Sequence, residues 1–319
     1  MRPYHRLPVQ SPILEQESLM GYVLRMSEKN HFSGTQWLSK VFKVERIHHL
    51  SRKHVPTIAW LFGEQSTSME NRYIEIRMSS SMPYANFYGH CVSRPFFIRL
   101  RCPQVCARCI EEEQFTKKWW DVSLATACFR HKLFLIENCQ RCKKNLNWNR
   151  PGIAICQCGF DIRESLVITS TTEAEMVSEW IAAKVENIYS NMINSDYDPL
   201  KNFSNLSLDG ALRIIFATGF RENKDHQLSA GKAKKILSID EASACVERSL
   251  HRLKQSEMTR DLPLIRKEFV ISGLELLAKE FQSINDAKLA MNLLDISRNK
   301  NSHQASLTNF NPRSQLQLF

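Results

Sequence analysis

Glycine and proline are scarce, at 10 and 11 of 319 residues. So few turn-formers argue against a many-stranded sheet and favour a mainly helical fold. Long apolar runs are missing too. None approaches the roughly 18 residues that a membrane-spanning helix needs, so no contact with a bilayer is expected. The opening stretch Met1 to Pro8 turns polar before an apolar segment of signal-peptide length develops, and a reducing, cytoplasmic setting is the expectation. Common catalytic signatures are also absent. The chain has no His-Glu-x-x-His and no Gly-x4-Gly-Lys-Ser/Thr loop, so neither a zinc-protease centre nor a phosphate cradle is written into it. Its length allows a substantial core and two or three domains.

Cysteine is what the chain has, and it is clustered. Cys106-x2-Cys109, Cys128-x2-His131, Cys139-x2-Cys142 and Cys156-x-Cys158 fall within about fifty residues, and each tight loop can bring two ligands to one ion. Four pairs supply two tetrahedral Zn²⁺ sites. A redox Cys-x-x-Cys would explain one pair and leave three over, and disulfides do not suit the expected compartment. Cys91, Cys102 and Cys245 lie outside the pairs and read as small, buried residues. Cys102 also lies close enough to replace Cys106 as a ligand.

Spacing leaves the pairing open. In chain order, Cys106, Cys109, Cys128 and His131 hold one ion and Cys139, Cys142, Cys156 and Cys158 the other; a cross-brace uses the same eight residues. The tight Cys156-x-Cys158 turn needs a left-handed residue, which Gly159 can supply. Eight ligands for two ions leave no coordination position for water, so the metals should hold a fold and no enzymatic activity is expected. A zinc hydrolase or nuclease is the enzyme reading set aside on this ground.

The net charge of +10 is unevenly placed. Residues 1–98 and 99–165 each carry 12 Lys/Arg against 7 Asp/Glu, whereas residues 166–319 carry 19 of each. A basic balance attracts nucleic acid or an acidic protein surface; its bland counterpart is a solvated face. In the cysteine-rich segment Arg99, Arg101, Arg108, Lys117, Lys118, Arg130, Lys132, Arg141, Lys143 and Lys144 alternate with Trp119, Trp120, Phe129 and Trp148. That interleaving marks a candidate nucleic-acid or partner surface.

Apolar spacing predicts a helix over Glu17 to Lys29 with Leu19, Tyr22, Val23 and Met26 on one face, a hinge over Asn30 to Gly34, and a second helix capped by Thr35 with Trp37, Leu38, Val41 and Phe42 inward. This helix-turn-helix shape reads DNA in some proteins and only packs in many; the pattern alone favours packing. Residues 65–81 look like a loop. Beyond the cysteines, helices are predicted after the capping hydroxyls Thr169-Ser170-Thr171-Thr172 with Glu173 in the first turn (burying Met176, Trp180, Ala183 and Ile188), over Leu208 to Thr218, Ala230 to Leu237 and Glu241 to Leu253, and along one run from Leu264 to Leu294. The expected layout is a helical domain over 1–98, tandem zinc modules over 99–165, a helical domain over 166–298 and a loose polar tail over 299–319.

The order Cys-x2-Cys, then Trp119-Trp120, then Cys128-x2-His131 followed by Leu133 to Leu135, then Cys139-x2-Cys142, resembles the TniQ family, which includes TnsD-type target selectors of transposons. Glu17 to Arg25 and the helices around Trp37 resemble the start of that family, and the likeness covers about residues 10 to 165. Cys102-Pro103 departs from it, since the family often places Cys-Pro at the first knuckle. The resemblance implies an adaptor that engages DNA, or a guide-RNA effector complex of the CRISPR Cascade type, and recruits a TnsC-like AAA+ ATPase that brings the transposase. It further implies in-order zinc pairing, a homodimer and a nucleoid-associated location. The alternative is a sequence-specific, zinc-dependent DNA-binding regulator without transposition partners, which would bind one short duplex far more tightly than others.

Overall fold

Ser18 starts the first helix. In the computed structural model, which describes residues 4–45, 51–79, 82–187, 200–220, 237–258 and 270–298, its hydroxyl accepts the Gly21 amide at 3.1 Å. That satisfies one of the orphan donors of a helix N-terminus, and α1 (Leu19–Lys29) follows. The predicted stripe Leu19, Tyr22, Val23 and Met26 is buried, in a first core with Leu38, Ile58, Phe62 and Met69. The opposite side of α1 is covered as well. Leu24 belongs to the main core, and Arg25 donates to both carboxylate oxygens of the buried Glu17 at 2.7 Å. A helix buried all round is a packing element joining two cores.

The next helix, α2 (Gln36–Val41), is short. Thr35 does not cap it: its hydroxyl donates instead to the Trp148 carbonyl at 3.0 Å. Gly34 sits at φ +76°, and a Cβ there would lie 2.4 Å from the Asn149 carbonyl oxygen. The turn between α1 and α2 is therefore pressed against the loop around Asn149, an approach only glycine permits. The helix-turn-helix shape is present, and its turn packs against the cysteine-rich segment.

After α3 (Val55–Phe62) and α4 (Ser66–Glu70) comes a three-stranded antiparallel sheet of β1 (Glu75–Ser79), β2 (Met82–Phe87) and β3 (His90–Val92). The loop expected over 65–81 is thus corrected to a helix and a strand. Its polar composition misled because β1 lies at the sheet edge with Ile76 and Met78 exposed, while Ala85 and Phe87 of β2 carry the burial.

The cysteine-rich segment holds α5 (Ala107–Glu113), β4 (Ala127–Cys128) and β5 (Leu133–Phe134). Five helices follow: α6 (Thr172–Glu186), α7 (Leu208–Gly219), α8 (Ile239–Met258), α9 (Ile271–Lys279) and α10 (Ile284–Arg298). Thr171 and Ser207 cap α6 and α7 through the amides of Ala174 and Gly210. The buried face of α6 is Val177, Trp180, Ile181 and Val185; the predicted Met176 and Ala183 are only half-buried, and Ile188 lies outside the described residues. Packing against β4, where the Ala127 amide donates to Ser178 Oγ at 3.0 Å, sets that rotation. The run predicted to be continuous to Leu294 breaks between α9 and α10. There Ser283 N–H donates to Asp286 at 2.9 Å and Ser283 Oγ accepts the Asn285 amide, a local cap that competes with helix continuation. The helix expected over Ala230 to Leu237, apart from Leu237, and the expected tail lie outside the described residues.

The fold is about half helical, with ten α-helices against five short strands among the described residues. One apolar core continues from Ala85 through the cysteine-rich segment to Leu294. Packing crosses both expected domain boundaries. The rings of Phe96 and Phe97 lie 5.2 and 5.8 Å from Phe216, and Ser93 Oγ is 2.9 Å from both Asp209 oxygens. No described helix is long and apolar enough to cross a membrane.

Candidate metal centres

Three of the four ligand pairs share one backbone device. Lys132, Lys143 and Gly159, each placed directly after the second ligand of its pair, have φ of +55°, +60° and +81°. Their amides return to the carbonyls of Cys128, Cys139 and Cys156 at 2.7, 2.8 and 2.9 Å. A left-handed residue closes each turn and aims both ligand side chains to one side. The first pair differs: Cys106 is the N-cap residue of α5 and Cys109 sits in its first turn.

The tertiary fold groups the donors in chain order. The donor atoms of Cys106, Cys109, Cys128 and His131 lie within 4.8 Å of one another, and so do those of Cys139, Cys142, Cys156 and Cys158. The cross-brace is not formed, and Cys102 stays outside both groups. In the first centre His131 Nδ1 is 3.4, 3.3 and 3.5 Å from the sulfurs of Cys106, Cys109 and Cys128, with Cys109 and Cys128 3.6 Å apart. In the second, Cys139 and Cys158 are separated by 3.6 Å and Cys142 and Cys156 by 3.8 Å. Metal–sulfur bonds of about 2.3 Å and metal–nitrogen bonds of about 2.0–2.1 Å give a tetrahedron with edges of roughly 3.5–3.8 Å. The spacings fit two such ions and are far from the roughly 2.05 Å of a disulfide.

Crowded thiols without a cation push one another apart in acidity. Hydrogen bonds from Cys106 and Cys109 pull Cys128 well below the ordinary thiol range, while hydrogen bonding to Cys106 and Cys128 drives Cys109 upward. A divalent cation at the centroid lets all of them ionise. Cys245, by contrast, is a buried thiol in an apolar setting, pushed up to about 12 by burial.

Residues that spacing did not reveal support each centre. His131 Nε2 is 3.0 Å from Glu112 Oε1, the outer contact that leaves Nδ1 free to face a metal. Arg130 bonds to the same Glu112 and to Glu113. Beside the second centre the buried Arg150 donates to the Asn147 carbonyl at 3.0 Å; burial lowers it to about 10, opposed by Cys156 and Glu28. That cation offsets part of the negative charge that four thiolates would bring. The run Glu111-Glu112-Glu113, just after Cys109, was the available signal for the acidic partner; Arg150 offered none.

The predicted binding residues divide. Trp119 and Trp120 are 2% and 1% exposed and belong to the core, so the expectation that they form a contact surface is corrected; Trp119 packs against Phe129 with ring centroids 5.3 Å apart and the planes tilted by 33°. Lys117 is buried, paired to Glu113 at 2.6 Å. Lys118 is half-buried over Tyr88, and burial lowers its pKa. The amides and carbonyls of this stretch pair with residues 16–18, holding α1 in place. Arg99 is buried against Glu137, and the exposed Arg108 pairs with Glu111 at 2.8 Å. Arg101, Lys132, Arg141, Lys143 and Lys144 are exposed, with no ion pair among the described residues. Arg141, Lys143 and Lys144 lie in and just after the Cys139–Cys142 turn of the second centre and Lys132 directly follows His131 of the first; with Arg101 they are the exposed basic residues that remain.

No protein-family model matches the chain, and comparison with curated proteins gives no match.

Proposed function

We propose that the chain is a zinc-held adaptor for transposition target selection. On this reading two Zn²⁺ ions are structural, and the protein links a target, DNA or a guide-RNA effector complex, to a TnsC-like AAA+ ATPase. The observation that carries it is the pair of closed donor sets, taken in chain order and built into the main core. Each set fills four positions by itself, so an ion there organises a scaffold and has no place for a substrate. The order of the pairs, with Trp119 and Trp120 between the first two, supports the family resemblance.

The metal would be held by Cys106, Cys109, Cys128 and His131 in one centre and by Cys139, Cys142, Cys156 and Cys158 in the other. What it supplies is folding free energy for a segment with little regular secondary structure. The exposed, unpaired cations beside the ligand turns, Lys132 at the first centre and Arg141, Lys143 and Lys144 at the second, then offer the contact surface. Affinity purification of the full chain from its native host tests the reading, with mass spectrometry and RNA sequencing of what is retained. Recovery of an AAA+ ATPase or a guide-RNA complex is expected; stoichiometric zinc with neither partner would overturn the adaptor role.

A further inference from the structure

Residues 166–170 form an extended edge beside β5. Phe134 N–H donates to the Ile168 carbonyl at 2.9 Å and Ser170 N–H to the Lys132 carbonyl at 3.0 Å, with Leu133 opposite Thr169. The segment is thereby the outer strand of a small antiparallel arrangement with β4 and β5. Alternation along a strand turns the amides and carbonyls of Val167 and Thr169 away from β5. None of these four groups has a backbone partner among the described residues. The Gln140 side chain fastens the start of the edge, bonding both the Leu166 amide and its carbonyl at 2.7 and 2.6 Å.

The same segment carries Leu166, the most exposed large apolar residue among the described residues, and two more exposed apolar side chains. Leu166 is 81% and Ile168 67% exposed, and Val167 between them is 40% exposed. Proteins usually blunt an open edge with charge, proline or a cover. Here three apolar side chains in a row stay in water. Around them stand Lys132, whose carbonyl bonds Ser170, and Arg141, next to Gln140, with Lys143 and Lys144 on the same knuckle; all four are exposed and lack an ion pair among the described residues.

We infer that this edge is a docking strand for an extended, acidic segment of a partner protein, one with apolar residues at alternate positions. Backbone groups of Val167 and Thr169 would pair with the added strand, Leu166 and Ile168 would bury its apolar side chains, and the surrounding cations would select carboxylates. A nucleic acid would meet the cations but leave the apolar residues and the open backbone without a match. The inference rests on the recruitment reading for its biological setting, while the binding itself is a property of the isolated chain.

The zinc-loaded full chain is titrated against three fluorescent ten-residue peptides: Leu or Ile alternating with Asp or Glu, the same with Lys for the acids, and a sequence-scrambled acidic control. Fluorescence anisotropy is the readout for binding. Preference for the first peptide is expected, weakening as salt rises and falling about tenfold or more in Leu166→Asp and Ile168→Asp. Amide hydrogen exchange should slow at Val167 and Thr169 when that peptide is bound. Both residues are solvent-exposed, so the variants should fold, and retention of two metal equivalents verifies it. Equal binding of all three peptides, unchanged affinity in both variants, or protection that tracks self-association of the chain would overturn the inference. So would a DNA duplex that protects these amides where the acidic peptide does not. Any of these outcomes leaves the affinity purification of the ATPase or guide-RNA complex free to succeed.

Discussion

With both donor sets loaded with zinc as proposed, metal removal should proceed in two separate steps, and the order follows from burial. In the first centre Cys106, Cys109 and Cys128 are 0–1% exposed and share one apolar cluster with Trp119, Trp120, Leu124 and Val177. In the second, Cys142 is half-buried and Cys158 exposed. A chelator must reach a ligand before it can compete, so the second centre should release first. Structural zinc contributes about 10–16 kcal/mol of apparent binding free energy in small zinc domains, against a total stability of about 5–15 kcal/mol for a folded protein. Losing the first centre should therefore abolish the fold, because three of its four ligands are fully buried in the core, whereas the second has two there, Cys139 and Cys156, and two nearer the surface, Cys142 and Cys158. Losing the second should open the loops around residues 139–158 and lower Tm by less than losing the first, because two of its ligands already lie near the surface. The assay is chelator titration with metal release, far-UV circular dichroism and tryptophan emission recorded together. One equivalent should leave with little change in helicity, and the second together with unfolding. Cys158→Ser should bind one metal and stay folded, whereas Cys109→Ser should not fold. A single concerted phase, or a folded Cys109→Ser beside an unfolded Cys158→Ser, would refute the assignment of the first centre to the core.

Glu112→Ala removes the partner of His131 Nε2 and should weaken the first centre 10- to 100-fold, the usual cost of an outer-shell loss; competition with a calibrated chelator measures it, and Glu111→Ala serves as the control. Asp121 is buried, and burial raises its pKa to about 8, partly offset by Tyr88 and Arg99. Its folded form thus binds more protons than the unfolded chain, whose aspartate titrates near about 3.9, so this residue makes stability fall as pH rises from about 4 to 8. Asp121→Asn keeps an acceptor for the Tyr88 hydroxyl, and its stabilising effect should be about 2 kcal/mol larger at pH 8.5 than at pH 6; identical shifts in melting temperature at both values would contradict the buried-carboxyl account. Arg141→Glu should lower retention on heparin more than Arg108→Glu, although both change the net charge equally, because Arg108 already faces Glu111 while Arg141 has no ion pair among the described residues.

Several local features agree between sequence and structure, although the local cap at Ser283 that ends the run expected to Leu294 does not show in the apolar spacing. Helix starts after the hydroxyl run 169–172 and after Ser207 depend on one hydroxyl and an amide three residues on, and caps form at Thr171 and Ser207. The stripe of α1 and the left-handed Gly159 are equally local. Other errors arose where a distant element decided the outcome. The rotation of α6 was set by β4 and the 118–121 turn, the sheet over 75–92 by cross-strand pairing, and the Thr35 hydroxyl by a carbonyl 113 residues away. Trp119 and Trp120 misled for a related reason. Aromatic residues among lysines suit a binding face and a core equally well until the neighbouring backbone is known.

The sequence by itself determined the donor set, eight Cys and His side chains in four close pairs, together with the scarcity of glycine and proline and the positive excess in the first 165 residues. These rest on residue type and on spacings of two or three, which chain connectivity imposes. Tertiary structure decided which pairs share a centre, that Glu112 and Arg150 stand behind them, and that Lys117, Trp119 and Trp120 are interior. It also decided that Leu166 to Ile168 face water beside unpaired cations. Each of those outcomes depends on contacts between segments far apart in the chain, where packing and charge pairing set the geometry and local sequence carries no record of it.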